Sequence, residues 1–277
     1  MTDQMDKYQL FEQLHLRTGA FVIPNPWDAG SARILAALGY EALATTSAGL
    51  AFSIGQQDSA ARISREAILQ NAQDIVNATN LPVSADLENG FGADPESCVK
   101  TISLAAKTGL VGGSIEDATG DPNNPIFDLN LAVERIAAAV EESRKHSFML
   151  TARAENFLHG KRDLDDTIRR LQAFEKAGAD VLYAPGLPDI AAIRTVCASV
   201  TRPVNVVMGL SGPTYSVSEL EQAGVKRISV GGSFARAALG GLMRAAREVK
   251  DHGTFTYAKD ALSSSEAEEY IFTPPKN

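Results

Sequence analysis

One short phrase constrains the fold more than any other feature. It recurs at Leu38-Gly39-Tyr40, Thr108-Gly109-Leu110, Ala177-Gly178-Ala179 and Ala223-Gly224-Val225. In each, glycine closes a helix-like stretch just before an apolar run, where a helix C-terminus needs a residue that can turn left-handed. Two further apolar runs open after proline, at Pro82 and Pro203. Short apolar runs therefore alternate with longer stretches of helical periodicity. The pattern predicts strands over 20–24, 42–46, 82–87, 111–116, 147–153, 180–184, 203–208 and 226–231. Helices are predicted between them, and an eighth runs from Ser233 to about Lys250. A βα unit counted eight times points to the α/β class and a closed (β/α)8 TIM-type barrel. An open doubly wound sheet is the alternative, and it would carry a glycine-rich first turn for a nucleotide. Gly231-Gly232-Ser233 after the last strand could hold a phosphate but is too short to carry that reading.

The 277 residues read as one domain: a leading helix within about 1–19, the barrel over 20–250 and a helical tail over 251–277. Tyr8, Leu10, Phe11, Leu14 and Leu16 give the leading helix its apolar side chains. The tail, with short helical stretches at Tyr257–Leu262 and Ser265–Ile271, has few apolar residues of its own. It is expected to pack on another subunit rather than to form a second domain. A net charge of −8 without a basic stripe argues against nucleic acid. No apolar run approaches membrane-spanning length, and the N-terminus lacks an apolar signal core. Cys98 and Cys197 lie far apart in helix-like stretches and suggest no disulfide framework. These features together predict a cytoplasmic protein with a small-molecule substrate and no membrane partner.

In a barrel of this kind chemistry sits at the C-terminal ends of the strands. The polar residues predicted there are Asn25, Trp27 and Asp28, then Thr45, Thr46 and Ser47, with Asp58 in a loop over 50–63. Asp86 and Glu88 follow, then Glu116 and Asp117, Arg153 and Glu155, Tyr183, Asn205, and Ser229 and Ser233. Strand alternation puts Asp86 and Glu88 on one face. Like charges converging there call for a cation, and hard oxygen ligands suit Mg2+ or Mn2+. Asn89-Gly90-Phe91-Gly92 then reads as a turn. Arg153, on the strand after the acids, has the planar fork that grips a carboxylate in two places. A purely structural reading stays open: Asp86, Glu88 and Glu116 as salt-bridge partners, and Arg153 as a counter-ion to Glu155 or Glu116. Asp28 is expected to cap a helix. His15, His146, His159 and His252 are expected at the surface.

Taken in order, five pieces resemble the isocitrate lyase/phosphoenolpyruvate mutase superfamily over roughly residues 8–250. They are Thr46-Ser47-Ala48-Gly49, Asp58, Ala85-Asp86-Leu87-Glu88-Asn89-Gly90-Phe91-Gly92, Ser114-Ile115-Glu116-Asp117 and Thr151-Ala152-Arg153. The resemblance implies Mg2+ (or Mn2+) held directly by Asp86, with Asp58, Glu88 and Glu116 acting largely through bound waters. It implies backbone N–H groups of Ser47 and Ala48 on a substrate carboxylate, and Arg153 on substrate oxygens. It also implies an eighth helix exchanged between subunits in a homodimer or homotetramer. Trp27 at the site's edge and Asn205 join Thr46 to Gly49 as candidate substrate contacts.

Departures from the family pattern narrow the activity. Lyases of the family that cut isocitrate-like substrates carry Lys-Lys/Arg-Cys-Gly-His on the loop after strand 4. The corresponding loop here, 117–128, has no cysteine, histidine, lysine or arginine. Asn123 and Asn124 resemble the loop asparagine of the mutases, but the neighbouring lysine is missing. What remains is lyase chemistry on a small 2-oxo (di)carboxylic acid such as oxaloacetate, through an enolate. Arg153 and Asp58 are the candidate catalytic residues, with Tyr215 or Asp121 as proton donor. Phosphonopyruvate hydrolysis or mutase-type C–P chemistry is the rival, and a non-catalytic 2-oxo-acid-binding barrel is the third reading.

Overall fold

The computed structural model describes residues 3–58 and 62–272. Eight parallel strands form its centre: β1 (Phe21–Ile23), β2 (Leu43–Ala44), β3 (Val83–Asp86), β4 (Gly112–Glu116), β5 (Met149–Arg153), β6 (Val181–Tyr183), β7 (Val204–Val207) and β8 (Arg227–Ser229). They pair in the order β1-β8-β7-β6-β5-β4-β3-β2. The seam between β1 and β2 has no ladder. It is bridged by one backbone hydrogen bond from Ala44 N–H to Pro24 C=O at 3.0 Å. Proline cannot donate in return, so the seam stays thin. Asn25 reinforces it, donating from Nδ2 to Thr45 C=O and accepting from Val230 and Gly231 N–H at Oδ1. The (β/α)8 barrel expected from the sequence is present.

The helices are α1 (Gln4–Leu16), α2 (Ala29–Ala37), α3 (Ser47–Ser53), α4 (Arg65–Ala78), α5 (Pro95–Ala106), α6 (Leu129–Ser143), α7 (Leu164–Lys176), α8 (Ile190–Ser199), α9 (Val217–Gln222), α10 (Ser233–His252) and α11 (Ser264–Phe272). Side chains of Asp28, Ser64, Asp94, Asp163, Asp189 and Ser216 each accept from a backbone N–H of the first turn. These caps, Asp28 among them as expected, fix the starts of six helices. One boundary differs. The loop expected over 50–63 begins later, because α3 runs from Ser47 to Ser53. Thr46 caps it, its Oγ1 accepting from Gly49 N–H at 3.2 Å. Leu50 and Ala51 then bury against Ile63 and Ile68. In the tail, Thr256–Lys259 is a 3-10 turn rather than the expected helix, and α11 lies along α2.

Outward-facing strand residues such as Val83, Ile115, Leu150 and Leu182, with Leu87 just past β3, form the main core with the inner faces of the helices. Inside the barrel the layers differ. At the N-terminal end, Phe11 and Leu14 of α1 plug the opening against Phe21, Met149 and Val181. Above this plug the interior turns polar, with Thr151, Asn205, Arg227 and Ser229 all buried. Arg227 donates to Asn205 Oδ1 at 2.8 Å and to Thr151 Oγ1 at 3.0 Å. Its other nitrogen stands 3.5 Å from Nε2 of His15. His15, expected at the surface, is instead buried, with Nδ1 2.8 Å from Phe11 C=O and its ring edge-on to Phe11 and Phe21. The helical period places it on the plug's inner face with Phe11.

Burial, reinforced by Arg227, pushes the His15 imidazole down to about 3. The native state therefore keeps it neutral, while the unfolded chain protonates it below about pH 6.5. Between those values the unfolded state binds the extra proton, so His15 contributes a loss of stability as pH falls. His15→Gln removes this contribution. Denaturant unfolding of both proteins from pH 7 to pH 4 should show wild type losing about 1.4 kcal/mol more per pH unit than the variant below pH 6.5. Parallel pH profiles would contradict the buried neutral imidazole.

Candidate active site

Ladder register brings the charged strand ends together. Glu116 pairs with Arg153, Arg153 with Tyr183, and Asp86 with Ser114 on the neighbouring ladder. Alternation turns Asp86, Glu116 and Arg153 to one rim. There the Arg153 guanidinium meets three carboxylates: Glu155 Oε1 at 2.8 Å, Asp86 Oδ1 at 3.0 Å and Glu116 Oε2 at 3.1 Å. Its flat face lies 5.0 Å from the Tyr183 ring centroid. Burial opposes the charge on Arg153, but Glu155, Glu116 and Asp86 outweigh it and hold the group firmly protonated. A guanidinium has five N–H donors, and these contacts use three of its nitrogens once each, so it can still donate to a bound molecule.

The acids are less comfortable. Burial pushes the Glu116 carboxyl well above the usual carboxylate range; Arg153 pulls it back, while Glu155, Asp86 and Glu88 push the same way as burial. Asp58 reaches the site from the segment after α3. Its carboxyl is raised by burial and by Asp86, although Ser47 and Arg153 ease it down. The Ser47 hydroxyl donates to Asp86 Oδ2 at 3.0 Å. Glu88 is buried beside them, and its backbone N–H reaches Asp86 Oδ1 at 3.3 Å. Negative charge thus exceeds what one guanidinium neutralises, and the donors are all hard oxygens, a set that fits Mg2+ or Mn2+. Among the described residues no three Asp, Glu, His or Cys side chains converge closely enough to hold an ion between them. The fit is to an ion that takes one carboxylate and keeps its waters, as Mg2+ does.

The turn after Asp86 follows a costly path. Glu88 has φ 47°, Gly90 φ 79° and Phe91 φ 61°. Two non-glycine residues in the left-handed region need outside support. Arg135 supplies it from α6, donating to the carbonyls of Asn89 and Gly92 with its flat face 4.3 Å from the Phe127 ring centroid. Arg65 from α4 donates to Gly90 and Phe91 carbonyls, and Thr101 Oγ1 to Gly90 C=O. Gly90 cannot be replaced cheaply, because a Cβ there would lie 2.9 Å from Cys98 Sγ. A third arginine, Arg170 of α7, ties Asp117 to Asp166 at 3.1 and 2.9 Å. Burial pushes Asp117 up to about 6 despite its Glu155 N–H and Arg170 partners. The sequence reading overlooked Arg135 and Arg170 as supports. Their signal was present: Arg135 falls in the apolar row Ala132, Ile136, Ala139, and Arg170 in the row Thr167, Leu171, Phe174.

Thr46, Ser47, Ala48, Asp58, Asp86, Arg153 and Tyr215 line one cavity of about 280 Å³. Several expected contacts do not reach it. Trp27 is not among the lining residues, and its Cβ stands against the position a Gly49 side chain would take; Gly49 also lies off the cavity. Asn205 lines a smaller adjoining recess, shared with Thr46, Asp86, Arg153 and Tyr183, where Arg227 and Ser229 occupy both ends of its amide. Asp121 is exposed and accepts from Asn123 N–H within its own loop. That loop folds into a small hairpin, with Ala118 bridging Ile126. Tyr215 Oη accepts from Ile190 N–H at 3.0 Å. Cys98 is buried behind the 89–92 turn, and burial pushes the Cys197 thiol, packed under Gly224, up to about 11. Neither lines the cavity.

The family model for phosphoenolpyruvate phosphomutase matches residues 11–250. A crystal structure of a candidate lyase/mutase from Burkholderia cenocepacia J2315 is 56% identical, with 98% of each chain covered and a TM-score of 0.95. A candidate phosphonomutase from the same organism is 35% identical over 90% of this chain and 99% of its own, with a TM-score of 0.78. The 2-methylisocitrate lyase of Escherichia coli K12 is 28% identical, covering 72% of this chain and 69% of its own.

The arginine clamp on the turn yields a test. Arg135→Met keeps the length of the side chain but leaves two buried carbonyls unpaired, at a cost of ~1–3 kcal/mol. The turn then relaxes and carries Glu88 away from Asp86. Calorimetric titration of the folded variant should show Mn2+ affinity lower by about tenfold, or ~1.4 kcal/mol. Unchanged affinity in a folded variant would remove the turn from the account of the site.

Proposed function

The chain belongs to the phosphoenolpyruvate mutase/isocitrate lyase superfamily, and on that premise we propose that it is an Mg2+-dependent lyase acting on a small 2-oxo acid, cleaving the bond beside C3. The observation that carries this reading is the crowd of carboxylates around Arg153 at the barrel mouth, next to a cavity that neither thiol reaches. Asp86 is the residue placed to hold the ion, with Asp58, Glu88 and Glu116 around its waters. The ion would supply Lewis acidity to the 2-oxo group of the substrate.

The chain's own groups do the rest. Arg153 donates its remaining N–H groups to the substrate, where negative charge develops as the C3 bond breaks. Backbone N–H groups of Ser47 and Ala48, at the start of α3, receive the carboxylate on C1. With oxaloacetate, the C3–C4 bond breaks, CO2 leaves, and the electron pair stays on the C2–C3 enolate. A proton delivered to C3 from water or the Tyr215 hydroxyl completes pyruvate. No thiol acid is needed, in keeping with loop 117–128. Assembly as a homodimer or homotetramer that exchanges the eighth helix belongs to the same proposal. It is supported by α10, where Leu239, Leu242 and Met243 are exposed.

A second reading, phosphonopyruvate chemistry, is favoured by the 35% identical candidate phosphonomutase. Parallel assays of oxaloacetate and phosphonopyruvate, each with Mg2+ or EDTA, separate the readings. The expected result is pyruvate and CO2 from oxaloacetate, abolished by EDTA. Phosphate released from phosphonopyruvate alone would transfer the site to C–P chemistry. Ligand-dependent thermal stabilisation without turnover of either would make it a binding protein.

A further inference from the structure

The cavity beside Asp86 and Arg153 has two unlike walls. One is polar, formed by Ser47, Asp58, Asp86 and Arg153. The other is hydrocarbon, formed by Leu187, Ile193, Val206, Met208 and the side of Tyr215. This second wall is built rather than incidental. Ile193 and Val206 are 2% and 6% exposed, and Leu187, Met208 and Tyr215 pack against the main core. It draws on the β6–α8 loop, α8, β7 and the loop after β7. Arg153 is the one cation lining the cavity among the described residues, and three carboxylates already hold it. An anionic group resting on the Leu187, Ile193 and Met208 side chains would lose water and, Arg153 apart, meet no opposite charge among the described lining residues. A methylene there would gain from burial.

We propose that the site takes 2-oxo acids bearing an apolar substituent on C3, an alkyl chain that lies along the Leu187–Ile193–Met208 wall while the 2-oxo carboxylate end faces Arg153 and Asp86. The proposal rests on the 2-oxo-acid reading above and specifies its substrate class. An unsubstituted four-carbon diacid leaves this wall unused.

Binding of a homologous series tests the proposal without turnover. Pyruvate, 2-oxobutanoate, 2-oxopentanoate and 2-oxohexanoate are titrated into the full chain with saturating Mg2+. Affinity should rise about fourfold per methylene, the equivalent of ~0.8 kcal/mol for a buried CH2, at least as far as 2-oxopentanoate. Met208→Gln, close in shape but polar, should flatten that slope. Binding of pyruvate with no gain along the series would overturn the apolar substituent and leave the 2-oxo-acid reading standing. A slope unchanged in Met208→Gln and in Leu187→Asn would put the chain elsewhere and also overturn the proposal. Failure of every member to bind would overturn both readings together.

Discussion

Everything at the mouth of this barrel depends on one unequal charge contact: Arg153 shared by Asp86, Glu116 and Glu155. In a water-poor setting a guanidinium repays its own desolvation when several carboxylates surround it. The carboxylates do not fare equally well. Glu116 is driven toward its neutral form by burial and by the other acids, so the cluster is short of positive charge. A divalent ion on Asp86 would relieve that shortage, with the neighbouring carboxylates left to order its waters. Structural pairing and metal holding were alternatives in the sequence. The fold shows the pairing, and the carboxylate that Arg153 orients, Asp86, is the one the proposed ion would take.

The barrel interior explains why this crowd sits at one end. Phe11 and Leu14 seal the opposite opening with apolar contacts. Arg227 stands above them, buried and held down to about 10 by desolvation, satisfied by Asn205, Thr151 and a neutral His15. Among the described residues no carboxylate forms an ion pair with it. Its partners are therefore neutral, and Arg153 is the guanidinium bonded to the acids at the mouth. The second half of the support lies outside the barrel. Arg135, Arg65 and Arg170 reach inward from three helices to fix the turn after β3 and the loops after β4 and β5. Rigid backing of this kind is what keeps a charged first layer in place.

How much was legible in the chain follows from how local each signal is. Glycine at helix ends acts within a few residues, so the eight units could be read directly, as could the cap at Asp28. Asp86, Glu116 and Arg153 were legible because strand alternation fixes a side chain's direction once the strand is known, whereas Glu88 lies past the end of β3 in a left-handed turn that alternation does not reach. The surroundings of Trp27 and Asn205 could not be read, for the opposite reason. The Cβ of Trp27 packs beside Gly49 two elements away, and the amide of Asn205 is held by Arg227 from the neighbouring strand. The start of α3 was missed because a seven-residue helix shows too little periodicity, and burial against Ile63 and Ile68 decides it. The buried arginines left a usable trace, a charge in an apolar helical row, that only a long-range partner explains.

The central claim is that Asp86 is the residue on which a divalent ion depends, and binding of Mn2+ to Asp86→Asn tests it most directly. The amide keeps the shape of the side chain and can still meet Ser47, but it removes the charge that attracts the ion. Calorimetric titration of the folded proteins should show one Mn2+ site per chain in wild type and an affinity at least about a hundredfold weaker in the variant, or ~2.7 kcal/mol. Equal affinity in both proteins would contradict the account and leave the acids at the barrel mouth as structural partners of Arg153.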